Sequence, residues 1–191
     1  MKFLIVGLGN IGDEYAHTRH NIGFDVVQAF IQQHGGSWRT DRLASVAEVK
    51  FKGRTVICIQ PTTYMNLSGK ALKYWMEKEK ITLDHILVIV DELALPLNKL
   101  RLRPSGSHAG HNGLKNIETL LLTNAYPRLR FGIGNDYPKG KQIDFVLGKW
   151  SVTELPVVKR KIEVSVELIE TFIFSGIDKA MNHYNKLEIN I

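Results

Sequence analysis

The chain has 191 residues, 44% hydrophobic and 23% charged, which is the size and composition of one globular domain. Its single cysteine, Cys58, excludes an internal disulfide and a thiolate metal cluster, and no apolar run reaches the ~18 residues that a membrane span requires. We therefore expect one domain over residues 1–191, with a formal net charge of +6, working in the reducing cytoplasm.

Apolar runs typical of strands alternate with helical patterns along the chain. In chain order the pattern predicts a strand at 3–6, a helix that Asn21 caps and Gly35 ends, strands at 45–51 and 56–60 joined by a hairpin turn at 50–54, a helix at 68–80, strands at 86–90 and 99–103, a helix after Asn112, strands at 129–133 and 145–147, and helices at 153–174 and 177–184. This alternation predicts an α/β fold, a single domain with a mixed, mostly parallel twisted sheet and helices on both faces.

The first predicted strand runs into Gly7, Gly9 and Gly12, which have the spacing of a dinucleotide-binding loop. Such a loop needs a helix N-terminus at the third glycine to hold the pyrophosphate. Here two carboxylates follow Gly12 and would repel phosphate, and the helical pattern begins only near Asn21. No acidic residue ends a second strand ~20 residues later, where a ribose would be bound. The glycines therefore favour a polar loop at the end of a strand over an NAD site.

Two side chains suited to acid–base chemistry lie in this loop and at a strand end. His20 is surrounded by polar residues, where a histidine is either a catalytic base or a surface or structural residue. Asp91 ends the apolar run ILVIV, and a carboxylate there either caps the loop or holds an imidazole in one tautomer. The next residue, Glu92, is expected to face solvent.

Further polar residues lead into two predicted helices. Met65 and Asn66 precede the helix at 68–80, and the amide of Asn66 either caps that helix or donates to a ligand carbonyl. His111 and Asn112 stand at the start of the next helix, whose N-terminus attracts a carbonyl oxygen or a phosphate.

Motifs for metal binding and for covalent catalysis are not found in the sequence. His17 and His20 are three residues apart, as are His108 and His111, but neither pair encloses a carboxylate as H-E-x-x-H does, so we expect no metal ion. There is no G-x-S-x-G elbow and no phosphate-binding glycine loop. A hydrolase built on this chain would use water as the nucleophile and would need no cofactor.

The positive charge is concentrated in the segment 99–149. Its only acids are Glu118, Asp136 and Asp144. Its bases are Lys99, Arg101, Arg103, Lys115, Arg128, Arg130, Lys139, Lys141 and Lys149. A local positive field favours a partner with a phosphate backbone, although an ordinary solvated surface explains the same composition.

The assembled motifs resemble those of the bacterial peptidyl-tRNA hydrolase family. The matching stretches follow the family's order over nearly the whole chain and are IVGLGNIGDEYAHTRHNIGF, PTTYMNLSGKAL, VIVDELALP, RLRPSGSHAGHNGLKNIE, LRFGIG and DFVLGKW. The resemblance implies a single α/β domain that acts as a cytoplasmic monomer without a metal. It also implies hydrolysis of the ester between a peptide and the 3′-terminal ribose of tRNA, which recycles tRNA during translation.

The resemblance further implies roles for individual residues. His20 corresponds to the family's catalytic histidine and Asp91 to its partner aspartate. The positions that contact the substrate or lie beside it in the groove correspond to Asn10, Tyr15, Met65, Asn66, His111 and Asn112. The partner is then the acceptor stem and 3′ CCA end of peptidyl-tRNA. The basic positions that hold the 5′-phosphate and the acceptor arm correspond to Arg101 and Arg103, and Arg130 corresponds to another arginine that contacts the tRNA.

The chain departs from the family's pattern at several places. Ala94 stands where a second aspartate is usual, Ala109 replaces a glycine, and Asn98 stands where glycine is common. Residues 135–140 lengthen a turn. None of these changes removes a proposed catalytic group.

Two rival functions are a non-catalytic RNA-binding relative on the same scaffold and a nucleotide-dependent oxidoreductase. The presence of His20, Asp91, Asn10 and Asn66 argues against the first, and the carboxylates after Gly12 argue against the second.

Overall fold

Seven strands form one mixed sheet in a computed structural model that describes all 191 residues. The strands are β1 (Lys2–Gly7), β2 (Arg39–Asp41), β3 (Ala44–Phe51), β4 (Arg54–Pro61), β5 (Ile86–Glu92), β6 (Leu100–Arg103) and β7 (Arg128–Gly132). Their order is β2-β3-β4-β1-β5-β7-β6. The four central strands β4, β1, β5 and β7 run parallel, whereas β3 and β6 pair antiparallel with their neighbours. The predicted α/β class with a mixed, mostly parallel sheet is confirmed.

Six helices cover the two faces of the sheet. They are α1 (Ile22–Gln33), α2 (Ser68–Glu79), α3 (Asn112–Leu121), α4 (Gln142–Val146), α5 (Leu155–Ser175) and α6 (Ile177–Tyr184). Residues of α1, α5 and α6 pack with one face, and residues of α2 and α3 pack with the other. No helix has both the length and the apolar character that a bilayer crossing would require.

The strands β1 and β5 in the middle of the sheet are nearly continuous apolar runs because both of their faces are buried. In β1, Phe3 and Ile5 point into the cluster under α1 and α5, and Leu4 and Val6 point into the cluster under α2 and α3. This two-sided burial makes β1 and β5 recognisable as short apolar runs in the sequence.

The predicted hairpin between β3 and β4 is confirmed. Phe51 pairs with Arg54, and the two residues between them, Lys52 and Gly53, have φ values of 46° and 79°. Two central residues with positive φ are what a two-residue hairpin turn of type I′ requires.

The glycine triplet does not form a nucleotide loop. A Cβ at Gly7 would overlap the carbonyl group of Gly23, so this glycine lets the start of α1 touch the end of β1. Gly12 has a φ of 108° and leads into a short 3₁₀ turn at Asp13–Tyr15, while α1 begins only at Ile22. No helix N-terminus therefore lies at the third glycine, as the sequence predicted.

Two local predictions are wrong, and one strand was not predicted. The residues 145–147, expected to form a strand, lie at the end of α4. Their apolar character reflects partial burial of Phe145 and Val146 against the core. Strand β2 was not predicted, because it is a polar edge strand of three residues. Asn21 stands at the start of α1, but its side chain makes no capping bond. It binds instead the backbone of Asn10, accepting from N and donating to O.

Candidate active site

The carboxyl ends of the parallel strands bring the candidate residues to one edge of the sheet, where α/β proteins commonly place ligands. Asn10 follows β1, Met65 and Asn66 follow β4, and Asp91 lies at the end of β5. A 3₁₀ turn at Arg19–Asn21 presents His20 to the same edge.

His20 and Asp91 are in direct contact. The Nδ1 atom of His20 lies 3.0 Å from Oδ1 and 2.9 Å from Oδ2 of Asp91. The side chain of Asp91 is 3% exposed and that of His20 is 14% exposed, so the carboxylate is covered while one edge of the ring reaches the cleft.

His111 is a second hydrogen-bond donor to Asp91. Its Nε2 lies 2.9 Å from Asp91 Oδ1. Its Nδ1 accepts from the backbone N–H groups of Gly113 and Leu114, at 3.1 and 3.4 Å, and so caps α3. A nitrogen that accepts from two N–H groups carries no proton. His111 is therefore neutral, with its single proton on Nε2 and directed at the carboxylate.

These contacts also define the tautomer of His20. Asp91 is ionised, because the interactions with His20 and His111 overcome the effect of burial and hold the pKa of Asp91 well below its usual range. The carboxylate accepts a hydrogen bond from His20 Nδ1–H, which leaves Nε2 unprotonated in the neutral ring. Burial opposes protonation of His20, but the charge and hydrogen bond of Asp91 outweigh it and raise the pKa of His20 above its ordinary value.

The same three side chains are the only cluster whose composition suggests a metal ion, with ligand atoms within 4.8 Å of one another. The donor set does not fit one. A metal ion bound to His111 at Nε2 would need an unprotonated Nε2. In the observed tautomer Nε2 carries the proton, and the free lone pair is at Nδ1, where it accepts from the amides of α3. Metal binding would therefore cost the cap of α3.

The side chain of Asn10 is held in place by the loop after β4, and Asn10 does not line the cavity around His20 and Asp91. Its Oδ1 accepts from the backbone N–H of Met65 at 2.7 Å, and its own backbone is paired with Asn21. The Nδ2 group is left to donate to a ligand. Met65 itself is buried, with its Sδ beside Gly113, so it joins the loop after β4 to the first turn of α3.

The other predicted groove residues are less enclosed. Asn66 and Asn112 are exposed and their side chains bind no protein group, while Tyr15 is half-buried in its 3₁₀ turn. The N-cap position of α2 is Leu67, with no side-chain capping bond. The capping interpretation of Asn66 is therefore wrong, and its amide is free to meet a ligand.

The three predicted arginines differ in their surroundings. Arg101 and Arg103 lie on one face of the edge strand β6, the first exposed and the second half-buried. Arg130 is buried instead. It donates to Glu92 Oε1 at 2.9 Å and to the carbonyl of Ser107 at 2.6 Å. The expectation that Glu92 faces solvent is wrong, because its carboxylate neutralises this arginine.

A cavity of about 230 Å³ opens in front of the paired histidines. Its floor includes His20, Asp91, His111 and Arg130, and its outer wall is α4, which contributes Gln142, Ile143 and Val146. The sequence did not identify these α4 residues as part of the site. The run 145–147 suggested a strand, and Gln142 and Ile143 carried no motif.

Arg19 was also missed. It follows a threonine and precedes His20, and its guanidinium is buried and donates to the carbonyls of Phe145, at the end of α4, and of Lys149. An arginine next to the candidate base was the one signal available.

Comparison with known proteins gives a consistent result. A family model described as peptidyl-tRNA hydrolase matches residues 4–191. Peptidyl-tRNA hydrolase of Bacteroides fragilis is 52% identical over 186 residues, covering 97% of this chain and 100% of that protein. The protein of the same name from Parabacteroides distasonis is 50% identical over 185 residues, covering 97% and 99%. A crystal structure of peptidyl-tRNA hydrolase from Acinetobacter baumannii has a TM-score of 0.93 at 33% identity, covering 98% of this chain and 96% of that one.

Proposed function

Because the chain belongs to the peptidyl-tRNA hydrolase family and is a hydrolase of peptidyl-tRNA, we propose that its chemical step is attack on the ester by a water molecule that His20 activates. One observation carries this proposal. The Nδ1 of His20 is committed to Asp91, so Nε2 is the basic atom that remains at the cleft. Such a base needs no nucleophilic side chain.

In the proposed step, a water proton moves to His20 Nε2 while the water oxygen attacks the ester carbonyl. Asp91 stabilises the imidazolium that forms and is itself held by His111. General-base assistance of this kind is worth roughly 10²–10⁴-fold. The proton on His20 Nε2 can then pass to the ribose 3′ oxygen as that oxygen leaves, which restores the neutral ring.

The asparagines supply the donors that the ester and the peptide need. Asn10 has a free Nδ2 next to the site, held in place by the Met65 amide. Asn66 and Asn112 are exposed, their amides bind no protein group, and Asn112 lines the cavity. A donor aimed at the developing oxyanion is typically worth ~10²–10³-fold. Tyr15 and Met65 complete the groove in this proposal.

The basic face of β6 is proposed to hold the acceptor stem of the tRNA and to leave its 3′ CCA end in the cleft. Arg101 and Arg103 are the cations accessible there. Arg130 lies beside the cleft but shares its charge with Glu92, so a phosphate would contact it as part of that pair. We further propose that the chain acts as a monomer in the cytoplasm.

The experiment compares His20→Asn with the unchanged enzyme on N-acetylaminoacyl-tRNA. Asparagine keeps a donor for Asp91 but has no base at the Nε2 position, so kcat should fall by about 10²–10⁴-fold while tRNA affinity is retained. His183→Asn on the exposed face of α6 is the matched control. A His20→Asn enzyme with near-normal kcat would remove His20 from the proposed step.

A further inference from the structure

A buried arginine next to the proposed base ties down a distant stretch of chain. The guanidinium of Arg19 donates to the carbonyls of Phe145 and Lys149 at 3.2 and 3.0 Å, and to Glu154 Oε1 at 2.7 Å. Its backbone N–H donates to the carbonyl of Gly148 at 3.0 Å. All four acceptors lie in the single segment 145–154.

The same segment packs closely around the guanidinium. Its Cζ lies 4.2 Å from the centre of the Phe145 ring and 5.3 Å from that of Trp150. A Cβ at Gly148 would lie 3.0 Å from Arg19 Nη1, so the backbone approaches as closely as a residue without a side chain allows. The Glu154 carboxylate also accepts from the backbone of Ser151 at 2.9 Å, which closes the turn that follows.

This segment begins in the last turn of α4, the helix that forms the outer wall of the catalytic cavity. Gln142, Ile143 and Val146 of α4 face the cavity. The helix is five residues long and packs chiefly on the turn Arg19–Asn21. Such a short helix has little stability of its own. Its position therefore depends on tertiary contacts, which are the packing of Phe145 and Val146 against the core and the bonds of Arg19 at its C-terminal end.

We infer that Arg19 is a positioning residue that holds α4 against the catalytic turn and so sets the affinity of the cleft for the part of peptidyl-tRNA seated between α4 and His20. The inference rests on the proposed function of the cleft. Arg19 is linked to both sides of the cleft. It is the residue before His20 in the chain, and its side chain binds the end of α4. Its two terminal nitrogens donate to the segment 145–154, whereas Nε is buried without a hydrogen-bond partner. Because the guanidinium is enclosed by that segment, we do not expect it to touch the ester.

The test is Arg19→Met, which keeps an apolar stem of similar length and the backbone bond to Gly148 but removes every side-chain donor. We expect KM for N-acetylaminoacyl-tRNA to rise about tenfold, equivalent to about 1.4 kcal/mol, with kcat within about twofold and an unchanged acid limb of the pH–rate profile. Hydrogen exchange should accelerate at amides 141–150 and not in α1 or β5. Arg19→Lys should recover part of the affinity, because one ammonium can bind Glu154 but lacks the planar fork. Arg160→Met, an exposed arginine on α5, is the control.

Binding is also measured with His20→Asn as the background, because KM equals a dissociation constant only when chemistry is slower than release. Unchanged affinity, faster exchange throughout the chain, or a kcat loss with a displaced acid limb would each overturn the inference.

If Arg19→Met does not fold, Glu154→Gln decides. It weakens one bond of the anchor and should raise KM about threefold, and an unchanged KM would refute the anchor. Normal turnover by His20→Asn would instead sink the proposed function while leaving the exchange and binding results readable.

Discussion

Replacing Asp91 by asparagine tests how the site fixes the protonation of His20. The Oδ1 of Asp91 accepts a hydrogen bond from His111 Nε2–H. Nε2 of His111 cannot become an acceptor, because Nδ1 already accepts from the α3 amides and the proton must stay on Nε2. The oxygen of an asparagine at this position must therefore face His111, and its NH₂ group must face His20. His20 Nδ1 then becomes the acceptor, and the ring proton moves to Nε2, the atom proposed to take the proton of water.

The expected loss follows from removing the base without removing the ring. General-base assistance is worth roughly 10²–10⁴-fold, and inverting the histidine tautomer in a serine-protease triad by the same substitution costs ~10⁴-fold. We expect kcat to fall about 10³-fold. The pKa of His20 should fall too, because only the effect of burial remains once the carboxylate is gone. The wild-type enzyme loses activity as pH falls through the raised pKa of His20, so the acid limb of the residual activity should move to lower pH.

The assay is the single-turnover rate on N-acetylaminoacyl-tRNA as a function of pH, together with the ¹⁵N resonances of the His20 ring. Combining Asp91→Asn with His111→Gln supplies a second acceptor, lets the asparagine oxygen turn to His20, and should restore about tenfold of the lost rate. Turnover of Asp91→Asn within tenfold of wild type, or a His20 Nε2 that stays unprotonated, would refute the reasoning.

Two further predictions concern charge elsewhere. Lys161 is fully buried, with only the carbonyl of Gly132 as a hydrogen-bond partner, and burial lowers its pKa well below the ordinary value. The unfolded chain therefore binds more protons, and stability should rise with pH until the unfolded amine titrates near ~10.4. Lys161→Met should raise the free energy of unfolding at pH 7 by about 1–2 kcal/mol. This gain should vanish as the pH approaches ~10.4, where the unfolded amine titrates. Urea unfolding between pH 6 and 11 measures it, and an equal gain at every pH would contradict the prediction. The double change of Arg101 and Arg103 to alanine should raise KM, leave kcat alone and reduce the salt slope of log Kd by about 1–2; a KM and slope equal to wild type would refute the clamp.

The sequence was sufficient where a local pattern determines the structure. The strands β1 and β5 are short apolar runs because both faces are buried, and their carboxyl ends lead directly to Asn10 and Asp91. The residue pattern therefore offered His20 and Asp91 as candidates for the site, and the family resemblance implied that they are partners.

The sequence was insufficient where one side chain serves two distant segments. His111 is both the cap of α3 and a donor to Asp91, and the two contacts together define its tautomer. Arg130 looks like surface charge until Glu92 is placed beside it. Arg19 gains its partners in the segment 145–154 only after the chain has crossed the sheet.

The three glycines after β1 show that an identical spacing can arise from unrelated steric demands. Gly7 leaves room for another main chain, Gly9 lies against the Phe24 ring, and Gly12 takes a backbone angle that side chains disfavour. A motif search would group the chain with dinucleotide-binding proteins, yet each of these glycines is required here for a different steric reason. Substituting them one at a time should accordingly produce three different defects, in helix docking, in ring packing and in the bend of the loop.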